Sequence, residues 1–147
     1  MMNMHIVTIE GIPYAWLEQL QEIHAHVFNG ASLPLEKLEK KEGLLCILAV
    51  EGDTLIGFKL GYPHPDDIFY SWLGGVHVAH RGQGIASQLM KQQHEHIKTL
   101  GFYKVRTYGR NTFKAMLITN LKHGFDILST FIDEKGRHKI IFEKTID

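Results

Sequence analysis

One short stretch limits what this chain can fold into more than any other. Between residues 75 and 90 an apolar-alternating run, Gly75-Val76-His77-Val78, leads through Ala79-His80 into a basic, glycine-rich turn, Arg81-Gly82-Gln83-Gly84. The turn opens directly into the amphipathic run Ile85-Ala86-Ser87-Gln88-Leu89-Met90. A strand, a glycine turn and a helix in that order make an anion cradle, because the first helical N–H groups have no intrahelical acceptor and point outward. The helix dipole adds roughly half a positive charge at the same place. Gly82 and Gly84 permit dihedrals that a Cβ forbids and let a ligand approach the backbone closely.

The rest of the chain reads as the sheet and helices around that cradle. His5 to Ile9 is a short first strand. Ile12, Trp16, Leu20, Ile23 and Val27 recur at helical spacing, which predicts a helix from Tyr14 to about Phe28, stopped by Asn29-Gly30. Ser32 is a candidate N-cap, with Pro34 near the first turn of a second helix to about Lys41. Leu44–Glu51 and Thr54–Tyr62 form a hairpin across Gly52-Asp53, and Pro63 to Asp67 is a loop. Ile68 to Val78 is one long strand, with a bulge expected at Gly74-Gly75. The cradle helix runs to about Leu100, and Lys104–Tyr108 is the next strand. A helix capped by Asn111 or Thr112 runs to about His123, and Phe125–Ile132 with His138–Glu143 closes the chain as a hairpin. The order predicts an α+β domain (an α/β three-layer arrangement). It has a central mixed, mostly antiparallel sheet of about seven strands, one parallel pair and about four helices.

Composition removes several classes of function. Sixteen Lys and Arg balance sixteen Asp and Glu in 147 residues. There is no net positive field to favour nucleic acid or an anionic membrane surface. No apolar stretch approaches the roughly 20 residues that span a bilayer, and the N-terminus has no secretory pattern. A cytoplasmic location is the expectation, and one domain over 1–147 is expected from the length. The single cysteine, Cys46, lies in the apolar run Leu44 to Val50 and reads as a core thiol. Ten scattered histidines show no metal-site spacing, so no metal is expected.

The cradle itself admits three readings. A dinucleotide fold wants a third glycine near the start of repeated βαβ units, and a P-loop wants Lys-Ser/Thr after its second glycine. Here the third glycine is missing and Ile85-Ala86 follows Gly84. The third reading is a resemblance. The run Arg81-Gly82-Gln83-Gly84-Ile85-Ala86 resembles the Arg/Gln-x-x-Gly-x-Gly/Ala signature of the GNAT superfamily of N-acetyltransferases. The flanking strands, Asn111 and the ending Lys122-His123-Gly124-Phe125 fall in that family's order. The resemblance spans at least Leu44 to Glu143.

The resemblance implies acetyl-CoA as co-substrate. The backbone of Val76, His77 and Val78 would pair with its pantetheine arm, and the amides of Arg81, Gly82, Gln83, Gly84, Ile85, Ala86 and Ser87 would hold the pyrophosphate. Asn111 would contact the cofactor where two parallel strands splay apart. Acetyl transfer needs a neutral amine, an oxyanion donor such as a backbone N–H near Val76, and a proton for the departing thiolate. The family's tyrosine four residues before the helix-ending glycine is here Asn120, which could still hydrogen-bond the sulfur or the pantetheine arm. Tyr108 is a candidate substitute donor. His77 is a candidate base, and Glu22, His26, Tyr70 and Trp72 are candidates for the acceptor site. The implied activity is transfer of acetyl from acetyl-CoA to a primary amine of a small molecule or protein. The alternative is a non-catalytic acyl-CoA sensor of the same fold, motivated by Asn120. The terminal hairpin is a candidate homodimer surface.

Overall fold

The computed structural model describes residues 3–147. Seven strands form one sheet in the order β1-β2-β3-β4-β5-β7-β6. They are β1 (Met4–Glu10), β2 (Leu45–Glu51), β3 (Thr54–His64), β4 (Ile68–Val76), β5 (Lys104–Gly109), β6 (Asp126–Ile132) and β7 (His138–Thr145). The helices are α1 (Leu17–Val27), α2 (Leu35–Glu39), α3 (Ile85–Thr99) and α4 (Lys114–Lys122). Every pairing is antiparallel except β4 with β5. The expected α+β class, the mixed sheet and its single parallel pair are what the structure has.

The core lies on both faces of the sheet, and β2 shows why. Leu45, Ile47 and Ala49 pack with Ile85, Leu89, Met90 and Ile97 of α3 and with Val105, Phe125 and Phe142. Cys46, Leu48 and Val50 point the other way, to Leu20 and Ile23 of α1 and Leu38 of α2. The alternation follows from the two-residue period of a strand, and a run apolar at every position is what two covered faces require. Cys46 is fully buried, its thiol pushed up to about 12 by burial, and its Sγ lies 3.5 Å from the Gly11 carbonyl. It is a core thiol, as expected.

Several boundaries differ from the sequence reading. Residues 14–16 form a 3-10 turn, and the α-helix begins at Leu17. Pro34, with φ −67° and ψ 146°, is the N-cap of α2, so Ser32 lies too far upstream to cap it, and the helix ends at Glu39. Strand β3 continues through Pro63 to His64. It pairs with β2 only as far as Gly61, so the missing N–H of Pro63 faces no ladder there. The reversal is made by Asp66 and Asp67, both at positive φ. Helix α4 starts at Lys114 with Phe113 as N-cap, because Arg110 to Phe113 closes a turn first; neither Asn111 nor Thr112 caps it.

The bulge in β4 also moves. Leu60 faces Leu73 while Gly61 faces Ser71, which leaves Trp72 as the extra residue. Opposite the bulge, across the ladder, stands Gly61. A Cβ there would sit 2.3 Å from the Phe69 ring and 2.6 Å from the Tyr70 carbonyl, so only glycine accommodates the crowding. Gly75 serves a different purpose. A Cβ on it would meet Val27 of α1 at 2.8 Å, so it lets α1 lie directly on the strand.

Candidate functional site

The site begins where the parallel pairing fails. Strands β4 and β5 match only at Phe69–Val105, Tyr70–Arg106 and Ser71–Thr107. Beyond Ser71, β4 stays with β3 to Val76, while β5 stays with β7 to Gly109. The two strands therefore part, and the edge of β4 is open from Trp72 onward. The Thr107 hydroxyl donates to the Ser71 carbonyl at 2.8 Å and marks the closed end of the gap. The His77 amide donates to the Ile56 carbonyl on β3. In an antiparallel ladder the amides alternate sides, so the N–H and C=O of Val76 and Gly74 project into the gap.

The cradle stands at the mouth of this gap. Gly84 is the N-cap of α3 at φ 78°, with no side-chain cap, and the first turn has no acidic residue. Gly82 has the same φ, and a Cβ on either glycine would meet nothing within 4 Å. The glycines are required by backbone conformation, and the space beside them is free. The Arg81 side chain folds back and its Nε donates to the Val76 carbonyl at 3.0 Å, tying the loop to the end of β4. The Ser87 hydroxyl is held by His123 Nε2 at 2.8 Å, which joins the end of α4 to the first turn of α3. Gly82 to Ser87 thus present backbone amides more than side chains.

Beyond Val76 the chain leaves the sheet. Residues 78–80 form a 3-10 turn, so Val78 is not a strand residue. Its amide donates to His26 Nε2 at 3.2 Å, and the Ala79 amide donates to His77 Nδ1 at 3.1 Å. The two imidazoles stack at 4.1 Å and 3°. With its Nδ1 lone pair committed, neutral His77 carries its proton on Nε2. Burial, then the neighbouring His26, His80 and Arg81, hold its pKa below the usual histidine range. Glu22, one turn before His26, is exposed. His24 belongs to the core: it is buried, its Nδ1 bonds the Ala31 carbonyl at 2.8 Å, and burial lowers its pKa.

The two faces of the gap carry different chemistry. On the α1 side, Trp72, Tyr62, Tyr70, Tyr108 and Phe131 form a continuous row, with ring centroids 5.3 to 5.8 Å apart. Lys41 Nζ lies 4.7 Å from the Tyr62 ring and 4.8 Å from Trp72. Burial, with Tyr62 and Tyr108 nearby, raises the Tyr70 pKa. On the α3 side are buried polar atoms without protein partners: Ser71 Oγ, Asn120 Nδ2, His94 Nε2 and both amide atoms of Gln93. Burial first, then Lys59, Lys144 and His123, push the His94 pKa down to about 3. Orphaned buried donors and acceptors cost free energy unless a ligand or water meets them.

The structure thus brings Val76, His77, His26 and the 81–87 amides to one mouth, and Tyr70, Trp72 and Tyr108 to one wall. Tyr108 lies on the face opposite the one that holds the buried Asn120, and Asn111 is exposed past the end of β5. Sequence reasoning missed Lys59, Gln93, His94 and the His123–Ser87 bond. For Lys59 a signal existed, since it is the one charged residue within Leu55-Ile56-Gly57-Phe58-Lys59-Leu60-Gly61.

Among the described residues no cluster of His, Cys, Asp and Glu could hold a metal. No helix of the described residues is long and apolar enough to cross a membrane. Among curated proteins, none matches the chain. Solved structures do match in fold. The ribosomal-protein-S18-alanine N-acetyltransferase from Escherichia coli superposes with a TM-score of 0.79 at 13% identity, over 97% of this chain and 95% of that one. Arabidopsis thaliana NAA60 in complex with acetyl-CoA gives 0.78 at 17%, over 97% and 100%. Arabidopsis thaliana Naa50 in complex with the bisubstrate analogue CoA-Ac-MVNAL gives 0.75 at 18%, over 96% and 99%. The model of the acetyltransferase (GNAT) family matches residues 13–117, well over half of the sequence, and the chain belongs to that family.

Proposed function

We propose that the chain is a single-domain N-acetyltransferase over 1–147. It moves the acetyl group of acetyl-CoA to a primary amine of a small molecule or protein, by direct attack in a ternary complex. The observation that carries this reading is the gap between β4 and β5 with the uncapped start of α3 at its mouth. An extended pantetheine arm adds to the open edge of β4 as a further strand would, at Val76. The amides of Arg81 to Ser87 take the pyrophosphate, where each charge-assisted bond contributes roughly 1.5–3 kcal/mol. Asn111 and Asn120 line the arm from the β5 and α4 sides. The orphaned polar atoms of Ser71 and Asn120 are consistent with a ligand in the gap. Solved relatives in this fold hold acetyl-CoA or a CoA-peptide analogue, which supports the same donor here.

The amine acceptor enters from the α1 side, past Glu22 and His26 and onto the wall of Tyr70, Trp72 and Tyr108. That wall supplies apolar surface and ring faces that attract a cation. His77 positions the approach as a hydrogen-bond donor from Nε2, and water takes the amine proton. Tyr108 acts as part of the wall. No covalent enzyme intermediate is needed, in keeping with Cys46 in the core.

The test is incubation with acetyl-CoA, a panel of amines and a thiol-trapping dye. Amine-dependent thiol release is the expected result. Tight acetyl-CoA binding without release across the panel would favour the second reading, an acyl-CoA sensor. That reading is motivated by Asn120, whose amide cannot give up a proton as a phenol does. The cradle has its own test. Gly84→Val places a β-branched side chain at a positive φ and should weaken acetyl-CoA binding at least about tenfold by calorimetry, with the far-ultraviolet spectrum intact. Unchanged affinity would overturn the cradle assignment.

A further inference from the structure

Lys59 is the anomaly of the sheet. It sits in the middle of β3, between β2 and β4, and is 8% exposed. Two residues before it, Gly57 lies against Ile85 and Leu89 of α3, so the two-residue period puts the Lys59 side chain on the α3 face. Among the described residues it makes no ion pair. An ammonium on so buried a side chain, without a counter-charge, is disfavoured, and a ligand that brings negative charge offsets the cost. Burial pushes its pKa down to about 8. The ionisable groups that feel its charge are His94 on α3 and His123 at the end of α4, with Lys144 of β7 close to both. None of them is acidic.

Its place relative to the gap is what gives it a role. Lys59 faces Gly74 across the β3–β4 ladder, and its Nζ lies 3.6 Å from where a Gly74 Cβ would be. The Gly74 amide projects into the gap beside it. Asn120, whose Nδ2 is buried and unpartnered, is on α4. The Asn120 amide gives up no proton as an acid would, and Lys59 reaches the same α3 face of the sheet from the strand next to β4.

Resting on the acetyl-transfer reading above, we propose that Lys59 is the proton donor to the departing CoA sulfur. The acceptor amine bonds to the thioester carbonyl carbon, with the Gly74 amide facing the developing oxyanion. As the C–S bond breaks, its electron pair goes to sulfur, and the Lys59 ammonium transfers one proton to it. CoA leaves as the thiol and Lys59 is left as the neutral amine. The amide nitrogen loses its extra proton to water, and Lys59 regains one from water, so the two cancel and turnover of a neutral amine releases no net proton.

The experiment uses the full chain and CoA itself. The thiolate of bound CoA is followed by its ultraviolet absorbance as pH is raised. In the wild type the bound thiol should titrate about one to two pH units below free CoA, because a cation adjoins the sulfur. Lys59→Met removes the charge at similar length. It should return the thiol to its free value and lower kcat about 100-fold on any amine the wild type acetylates, with KM for acetyl-CoA changed less than about threefold. Lys59→Arg should restore the thiol shift but not the rate, since a guanidinium keeps its proton. A wild-type thiol that titrates as free CoA does, or full turnover by Lys59→Met, would overturn the assignment. Should Lys59→Met not fold, the wild-type titration decides alone. Failure of the wild type to bind CoA would overturn the acetyl-transfer reading first, which a bound but unshifted thiol would not.

Discussion

Strands β2 and β6 are both seven residues long and both rich in apolar side chains, yet they have opposite fates. In β2, Leu45 to Val50 are at most 1% exposed. In β6 every residue is exposed, including Ile127, Leu128, Phe131 and Ile132. Composition does not separate them. Strand β2 lies between β1 and β3 with α1 and α2 over one face and α3 over the other, whereas β6 is an edge strand beyond β7. Coverage is greatest at β2 and β3 and falls toward β6, and the candidate site lies on that slope, where β4 is still covered and β5 no longer follows it. A ligand cleft needs an unfilled space beside a rigid wall, and that boundary has both.

The contrast should be largest in stability. Leu48→Ala empties a fully buried position and should cost about 2–5 kcal/mol in urea denaturation, while Leu128→Ala should stay within about 0.5 kcal/mol. Equal losses would mean that β6 is covered in solution, by a second copy for instance.

A pH scan sharpens the same contrast through His94, on the covered side. Its folded pKa lies near 3, below the ordinary 6.5 of the unfolded chain, so the unfolded state binds more protons between those values. Stability is full above pH 6.5 and declines as pH falls toward 3, with a loss of about 2 kcal/mol at pH 5. His94→Leu should remove that part of the slope between pH 7 and pH 5; an unchanged slope would show that the ring is hydrated.

Gly75→Ala tests the boundary itself. Its methyl would meet Val27 at 2.8 Å, and the fit of α1 on β4 should loosen at a cost of about 1–2 kcal/mol, read from the thermal midpoint. A neutral result would show that α1 can ride outward without loss.

Much of this was readable before any coordinates. The strand–cradle–helix order, the hairpins and the core thiol follow from period, punctuation and glycine placement. What escaped the sequence depends on neighbours distant in the chain. The bulge lies at Trp72, opposite a Gly61 crowded by the Phe69 ring, and the two glycines further on gave no hint of that. Pro34 displaced the start of α2 by its own dihedral. The roles of Lys59 and Asn120 become visible only once α3 and α4 are laid over the sheet. The alternation of β3 says which way the lysine points, but not that the face it reaches is closed.

The three-residue match between β4 and β5 has a mechanical consequence. Among the described residues it is the only ladder joining β1–β4 to β5–β7, and every other neighbouring pair in the sheet is held over a longer register. The sheet is thus two leaves sewn by a short seam, pinned by the Thr107–Ser71 bond. Amide hydrogens of β5, β6 and β7 should exchange as one cooperative unit, ahead of β2 and β3. Filling the cleft beside the seam would stitch the leaves together and slow that exchange.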